Sequence, residues 1–509
     1  MPDYGEAMIE KQQRISRPTV KLRLENFRLF EDSDWFRVAP LTCLVGRNSS
    51  GKSSVLSAIL LLKQSLERET VGSAIMPLAL SGPYCDLGNY ADVVHNHVET
   101  SEISFSISMD FSDLSLEHFG PPRAFVNLSL PRPAATFRGL WAPYFQDRRE
   151  TRLPKEGEVR ARLTFSADEP FGPSLSRVEI DVSDTGTATF VRTSSGERRQ
   201  HWRVYTSTLP PRVVGLVPRG FFPTVYVRDN YYDRCSSKSK RRVRVFAKAA
   251  ELMFRFLMQA ILRSDVIGPF RTPPERRYPF GGFSSTRGGP SGEQAVNLLI
   301  TEALLNPHSA RPLHSALSFW FRHLRLADTL DIRDLAKRLN LFEVDVSGAG
   351  RGTKANLADV GFGVSQVLPV LLQGLLMRRG GIYLVQQPEI HLHPDAQAGL
   401  ADFFIYLASY GVITIIETHS EYLLLRLRRR LAEGIKPISA GLQIEKENIS
   451  TMTKDDIAVL FTGDDRGKPS VRQLEIGSSF QFDNLPSGFM SQALEDRVAL
   501  LNAVGKKDA

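Results

Sequence analysis

Residues Gly46-Arg47-Asn48-Ser49-Ser50-Gly51-Lys52-Ser53 follow the pattern G-x-x-x-x-G-K-S, and what flanks them restricts the fold more than any other feature of the chain. Before them, Leu41 to Val45 reads as a buried parallel strand; after them, Val55 to Gln64 carries apolar residues at helical spacing. A strand, a glycine-rich turn and a helix in that order make a phosphate-binding loop. Its glycines let backbone N–H groups turn onto a β-phosphate, Lys52 reaches the β and γ oxygens, and the Ser53 hydroxyl binds Mg²⁺. With Ser54 at the start of the helix, the phosphate-binding set runs unbroken from Gly46 to Ser54. The chain is expected to bind a nucleotide.

The remaining composition narrows the class. The 509 residues are 42% hydrophobic and 24% charged, a globular balance at a length that suits roughly two to four domains. No apolar run reaches the roughly 18 residues of a membrane span, and the opening residues, with Asp3, Glu6 and Glu10, lack the apolar core of an export signal. A cytoplasmic protein without a membrane partner is expected. Cys43, Cys85 and Cys235 have neither paired nor metal-ligand spacing, which suits a reducing compartment. Net charge is +8, with 64 basic against 56 acidic side chains. The charge concentrates at Lys238, Lys240, Arg241, Arg242 and Arg244, and again at Arg426, Arg428, Arg429 and Arg430. A solvated helix face, an acidic protein partner and DNA are all open readings of these runs.

The chain divides into a polar tail (1–18), an N-terminal half with strands at Thr19 to Phe30, Phe36 to Val45 and Ile103 to Phe111 (19–112), and an insertion (113–330). The insertion reads first as β, with runs at Val159 to Ser166, Ser176 to Val182 and Thr187 to Arg192 and prolines at Pro121, Pro122, Pro131, Pro133 and Pro143. It then turns helical at Val245 to Leu262, Gly292 to Leu305 and Leu313 to Leu326. A C-terminal half follows (331–430), and a C-terminal extension closes the chain (431–509).

That C-terminal half carries two further apolar strands. Ile382 to Gln386 runs into Gln387-Pro388-Glu389-Ile390-His391-Leu392-His393-Pro394, and Gly411 to Ile416 ends in Glu417-Thr418-His419-Ser420, putting a histidine at a strand tip, where open α/β sheets bind ligands. Upstream, Asp359-Val360-Gly361-Phe362-Gly363-Val364-Ser365-Gln366 reads as a small-residue turn before an apolar helix from Val367 to Met377. His391 and His393 alternate as metal ligands do, but no third His or Cys stands at suitable spacing, so zinc is the lesser reading. Arg271 reads equally as a phosphate sensor and as a loop ion-pair partner.

Together these segments resemble the ATP-binding-cassette ATPases of the SMC/OLD-like branch, close to the bacterial AAA-family ATPases with Pro-Glu-Ile-His-Leu-His-Pro and Glu-Thr-His-Ser motifs. The resemblance extends to Leu24-Glu25-Asn26-Phe27, Asp86-Leu87-Gly88, Gly268-Pro269-Phe270-Arg271 and Leu485-Pro486-Ser487-Gly488-Phe489. It implies an α/β fold: a P-loop ATPase head of ABC/SMC type, interrupted by the β-then-helical insertion and followed by a small extension. It implies ATP and Mg²⁺ as cofactors, and two heads that dimerise head to tail. Lys52 and Ser53 of one head would hold the nucleotide, while Gly361, Gly363, Ser365 and Gln366 of the other would cap its γ-phosphate. His391 and His393 would lie in the D-loop, and His419 would be the switch histidine. The Q-loop would fall within Asp86 to Asp92 rather than at Gln64.

The chain departs from that pattern where relatives end the second strand in an acid, for here Gln386 stands there and Gln387 follows. An amide offers one oxygen without the charge that a metal-bound water needs, so both metal affinity at Ser53 and Gln386 and turnover are expected to weaken, and Gln386→Glu is expected to speed turnover. Glu389 is the competing candidate for the missing acid. The resemblance further implies an ATPase that senses a signal and controls a separate nuclease or toxin, most plainly in anti-phage defence, the alternatives being an ATP-bound scaffold that sequesters such a partner or a DNA-repair ATPase. A built-in nuclease of the TOPRIM kind is not expected. The acidic pairs Asp455-Asp456 and Asp464-Asp465 after His419 are local, and the second sits in a hairpin between Val459-Leu460-Phe461 and Val471 to Leu474.

Overall fold

In the computed structural model, which describes residues 18–69, 78–114, 152–167, 173–193, 201–217, 222–282, 287–306, 311–336, 340–348, 354–434, 451–465 and 468–484, the alternating N-terminal segments assemble first. Strand β1 (Val20–Phe27) pairs antiparallel with β2 (Phe30–Asp32) and β3 (Phe36–Val38). Strand β4 (Leu41–Gly46) leaves for another sheet. On its other side β1 meets β5 (Ile103–Asp110), and the antiparallel sheet continues through β6 (Glu158–Ser166), β7 (Ser174–Val182), β8 (Gly186–Thr193) and β9 (His201–Ser207). The long helix Ser237–Leu262 covers β6 and β7, burying Val243, Phe246, Ala250, Met253 and Leu257 in the same core. Between them, β10 (Val214–Val217) and β11 (Thr224–Val227) form a two-stranded ribbon.

The second sheet holds the phosphate loop. It contains β12 (Asp265–Ile267), β17 (Ile382–Gln386), β18 (Ile413–Glu417), β4, β19 (Ile457–Asp465), β20 (Lys468–Ile476) and β21 (Phe482–Asp483) in that spatial order. The first five run parallel and the last two antiparallel. A parallel sheet is covered on both faces, which is why β4 and β18 are buried at every position and read as unbroken apolar runs. Successive residues serve opposite faces: Leu44, Leu384 and Leu460 point into the core shared with the loop helix Lys52–Glu69 and the antiparallel sheet. Cys43, Val385 and Val459 face a second core. That second core is filled by the helices Pro312–His323, Phe362–Leu376, Pro394–Ser409 and Glu421–Ala432. A small sheet of β13 (Tyr278–Pro279), β14 (Thr329–Ala336), β15 (Leu341–Ser347) and β16 (Lys354–Asn356) borders it.

Several expectations about boundaries move. Strand β12 lies within the stretch read as an insertion, yet it pairs with β17 in the central sheet. The hairpin of β19 and β20, expected from its alternation, is also no appendage, because β19 pairs directly with β4. The long helix starts at Ser237 rather than Val245, since Ser236 caps it by accepting the N–H of Ser239 at 3.3 Å. The apolar helix expected from Val367 starts at Phe362, so Ser365 and Gln366 belong to its first turns and are buried. The proline-rich stretch 121–143 and Leu485 to Phe489 lie outside the described residues.

The two basic runs fare differently. Arg426, Arg428, Arg429 and Arg430 occupy the helix after the His419 loop, and each has a partner. Arg426 and Arg430 donate to Asp402 at 2.9 and 2.6 Å, Arg428 to the Phe480 carbonyl at 2.6 Å and Arg429 to Glu433 at 2.7 Å. Asp402, whose side chain is 0% exposed, also meets His323 Nε2 at 2.9 Å. The other run sits on the first two turns of the long helix. Lys240 lies over the Tyr232 ring, and none of Lys238, Arg241, Arg242 or Arg244 makes an ion pair among the described residues.

Candidate functional site

The end of β4 and the start of the loop helix shape the phosphate loop through contacts far away in sequence. Gly46 has φ +145°, and a Cβ there would stand 2.3 Å from the Thr462 carbonyl oxygen of β19; Gly51 has φ +105°, and a Cβ there would stand 2.7 Å from the Phe30 ring. Both positions therefore require glycine for conformation and for space. Thr462 also bonds the loop directly, its Oγ1 lying 2.7 Å from Ser50 Oγ. Lys52 is buried, with Nζ donating to the Gly46 and Arg47 carbonyls at 3.0 and 2.7 Å. Burial lowers its pKa, and the nearby Glu417 carboxylate opposes that shift. Ser53 is exposed on the loop.

The loop opens onto a cleft of about 630 Å³ that Asn48 to Ser54 floor. One side is made by Gln387, Glu417 and His419, at the tips of β17 and β18, and the other by Arg28, Leu29, Asp92, Val94, His95, Asn96 and His97. Five of the lining residues hold left-handed backbone without being glycine: Arg28, Ser49, Asn96, His97 and Gln387, with φ between 45° and 59°. Such conformations cost about 1 kcal/mol or more each and gather where a ligand surface is shaped in advance. Gln387 is held there by its N–H donating to the Glu417 carbonyl at 2.7 Å, and His95 Nδ1 lies 3.0 Å from the Arg28 carbonyl.

Of the residues expected in the site, the structure brings together Asn48 to Ser54, Gln387 and His419 around one cleft. His419 is exposed there. Partial desolvation, and secondarily the charge on Lys52, hold its pKa below the ordinary histidine value. Gln386 and Glu389 do not line the cleft. Gln386 Nε2 donates to Glu417 Oε2 at 3.1 Å, while its Oε1 faces Gly268, whose Cβ position is 3.8 Å away. Glu389 Oε1 accepts the His419 N–H at 2.7 Å, so it braces the His419 loop from behind. Burial raises the Glu389 carboxyl above the usual range.

Gly361, Gly363, Ser365 and Gln366 stand apart from this cleft. Gly361 is the N-cap of its helix without a side-chain bond, Phe362 is 63% exposed over the His391 ring, and a Cβ on Gly363 would lie 3.0 Å from the His391 carbonyl oxygen. Ser365 is turned inward, its Oγ donating to the Phe362 carbonyl at 3.0 Å. His393 caps the next helix through Nδ1, which accepts the Asp395 N–H at 3.4 Å. Among the described residues no group of three or more His, Cys, Asp or Glu could hold a metal by itself. Arg271 is buried and donates to the Gln386 and Gln387 carbonyls at 2.8 and 3.0 Å, and desolvation pushes its pKa down to about 10. Gln64 likewise is structural, its Oε1 accepting the Cys85 N–H at 3.2 Å, whereas Asp92 of the Asp86 to Asp92 segment reaches the cleft.

Arg28, Asp92, His95, His97, Glu417 and the supporting Thr462 were not singled out by the sequence. A charged residue before a strand-tip histidine was the one available signal, at Glu417; the others depend on pairings between distant strands.

A buried parallel sheet with a glycine-rich loop leaving the central strand, and a polar cleft at the strand tips, is the architecture of a P-loop nucleotide-binding protein. The chain belongs to the AAA ATPase domain family, whose model matches residues 20–191 and 323–424, more than half of its length. Family membership implies nucleotide binding, typically with a divalent metal. Among solved structures the chain is similar to an SMC head bound to the C-terminal winged-helix domain of ScpA (11% identity, 90% of this chain and 98% of that chain, TM-score 0.37). It is also similar to an SMC head bound to the C-terminal domain of ScpA derived from Pyrococcus furiosus (11%, 96% and 99%, 0.37) and to the SMC head of Thermotoga maritima (10%, 91% and 100%, 0.33). Likeness at this level carries no inference. No curated protein matches the sequence. Among the described residues no helix is long and apolar enough to cross a membrane.

Proposed function

We propose that the chain is an ATPase that binds ATP with Mg²⁺ in the cleft, turns it over slowly, and associates with a second copy to complete the site. The observation that carries this reading is the cleft itself. Its floor is the complete phosphate loop, with Lys52 as the point charge for the β and γ oxygens, yet the residue at the tip of β17 that lines it is the amide Gln387. His419 accepts or orients a proton at the edge of the cleft, and Gln387 orients water without acting as a base. Ser53 and Glu417 supply the oxygens that fit a phosphate-bound Mg²⁺, which takes only one or two protein ligands and neutralises phosphate charge when bound. Slow turnover follows from a site that orients well and deprotonates poorly.

Dimerisation is supported by the exposed turn at Gly361 and Phe362, a helix N-terminus that lies outside its own chain's cleft and would suit the γ-phosphate held by a partner. In this reading ATP controls the association of heads, and association controls a separate nuclease or toxin, as the anti-phage ATPases that the motifs resemble do. Sequestration of such a partner by a permanently ATP-bound scaffold is the second reading, favoured by the same amide. DNA repair remains the third.

The test is Lys52→Ala. Its affinity for a fluorescent ATP analogue is expected to fall at least about 100-fold, about 2.7 kcal/mol, with an unchanged far-ultraviolet spectrum. Phosphate release and the ATP-induced rise in mass by light scattering should disappear together. Wild-type affinity in this variant refutes the site, and a mass indifferent to ATP in the parent refutes the association.

A further inference from the structure

Strand order places one carboxylate where the cleft needs it. β18 lies between β4 and β17, with Glu417 in register with Leu44 on one side and Gln386 on the other. Glu417 thus stands at the tip of the strand that separates the phosphate loop from Gln386. It is only 6% exposed, and the surface it shows lines the cleft. Asp92 is the other carboxylate among the described lining residues, but it belongs to the opposite wall and its side chain caps a short helix by accepting the Asn89 N–H at 2.9 Å.

The hydrogen bond with Gln386 gives Glu417 a direction. Oε2 accepts from Gln386 Nε2 at 3.1 Å, and Oε1 has no hydrogen-bond partner among the described residues. Reversing the amide would set its oxygen against Oε2, so the carboxylate itself orients Gln386 with nitrogen inward and oxygen toward Gly268. Gln386 therefore presents a donor to Glu417, and a metal ion takes oxygen and not an amide N–H₂. The electrostatic pull of Glu417 on Lys52 is the second sign that its charge is felt at the phosphate loop.

We infer that Glu417 is the carboxylate that holds the nucleotide's divalent cation, opposite the Ser53 hydroxyl, and that Gln386 is a positioning residue that clamps it. The inference rests on the nucleotide reading above and assigns the metal contact to a strand different from the one that the sequence pattern suggests. A carboxylate reached from the neighbouring strand makes the amide at Gln386 a functional partner instead of a lesion.

The experiment measures the affinity of a fluorescent ATP analogue with excess EDTA and again with saturating Mg²⁺. In the parent protein Mg²⁺ should tighten binding. In Glu417→Gln that tightening should shrink by at least about tenfold, about 1.4 kcal/mol, while the affinity in EDTA stays level or improves because Lys52 loses its local counter-charge. The exchanged pair Gln386→Glu with Glu417→Gln preserves the carboxylate–amide bond and should recover part of the tightening. Full Mg²⁺ tightening in Glu417→Gln overturns the assignment. A parent protein that binds no nucleotide in either buffer overturns the nucleotide reading and the assignment together. A measurement without substitution covers a variant that does not fold: with glutamate labelled at the carboxyl carbon by ¹³C, pulsed electron paramagnetic resonance of bound Mn²⁺·ATP should show a ¹³C coupling, and its absence overturns the assignment.

Discussion

The two arginine-rich helices of this chain look alike as sequence and are opposite as structure. The run Arg426 to Arg430 is neutralised from within: Arg426 and Arg430 converge on Asp402, joined by His323, and tie the helix that leaves the His419 loop to the two helices beneath it. The run Lys238 to Arg244 has cations on the first turns of a 26-residue helix, where the helix dipole disfavours positive charge, and four of them make no ion pair among the described residues. The first run is thus internal scaffolding. The second holds its charge against the local electrostatics of a helix N-terminus. What separates them is not the number of arginines but whether an acid waits on a neighbouring element.

Removing that acid is the strongest way to break the contrast. Asp402→Asn keeps the volume but leaves Arg426, Arg430 and His323 around a neutral buried group, and should cost about 3–5 kcal/mol in urea unfolding. A loss below about 1 kcal/mol would show that the cluster is surface decoration after all.

Acid titration gives the next effect. Hydrogen bonds from His323 and Arg430 and the charges of Arg430 and Arg426 overcome desolvation and bring the Asp402 pKa down from 3.8 to about 2. A depressed carboxylate contributes stability that is present above the unfolded pKa and lost as pH falls through the folded one. About 2 kcal/mol should therefore disappear between about pH 4 and pH 2 in the parent protein, and that increment should be missing from Asp402→Asn.

The smallest effect sharpens the other side. Replacing Lys238, Arg241 and Arg242 together by Gln should leave stability unchanged or raise it by about 0.5 kcal/mol, because cations leave a helix N-terminus. The same variant should lose most of any duplex DNA affinity, with a shallower dependence on salt. Undiminished, salt-insensitive binding would hand the run to a protein partner.

The cleft shows the same division between what is local and what is not. The motif from Gly46 to Ser53 was legible because each of its demands lies within one strand, one turn and one helix. His419 was legible for a similar reason, as a polar residue at the end of an apolar run. The acid was not. Sequence pattern pointed to the tip of β17 and then to Glu389, whereas the carboxylates lining the cleft are Glu417 and Asp92, and Glu389 faces the backbone of His419. Gln386→Glu alone would set two carboxylates against each other where an amide now donates at 3.1 Å. Ser365 reads from the sequence as part of a small-residue turn before an apolar helix, but the helix begins earlier and turns the hydroxyl inward.

By itself the sequence determined the phosphate loop, the alternation that makes the antiparallel sheet, the buried parallel strands and their nucleotide chemistry, because spacing within a few residues dictates backbone period and hydrogen-bonding capacity. Only the tertiary structure decided that β18 lies between β4 and β17, that Thr462 and Phe30 hold the two loop glycines, and which basic run meets an acid. Those facts join residues from about twenty to several hundred positions apart. Their physical origin is the order in which strands and helices pack to bury both faces of one sheet, a property of the assembled core that no single segment carries.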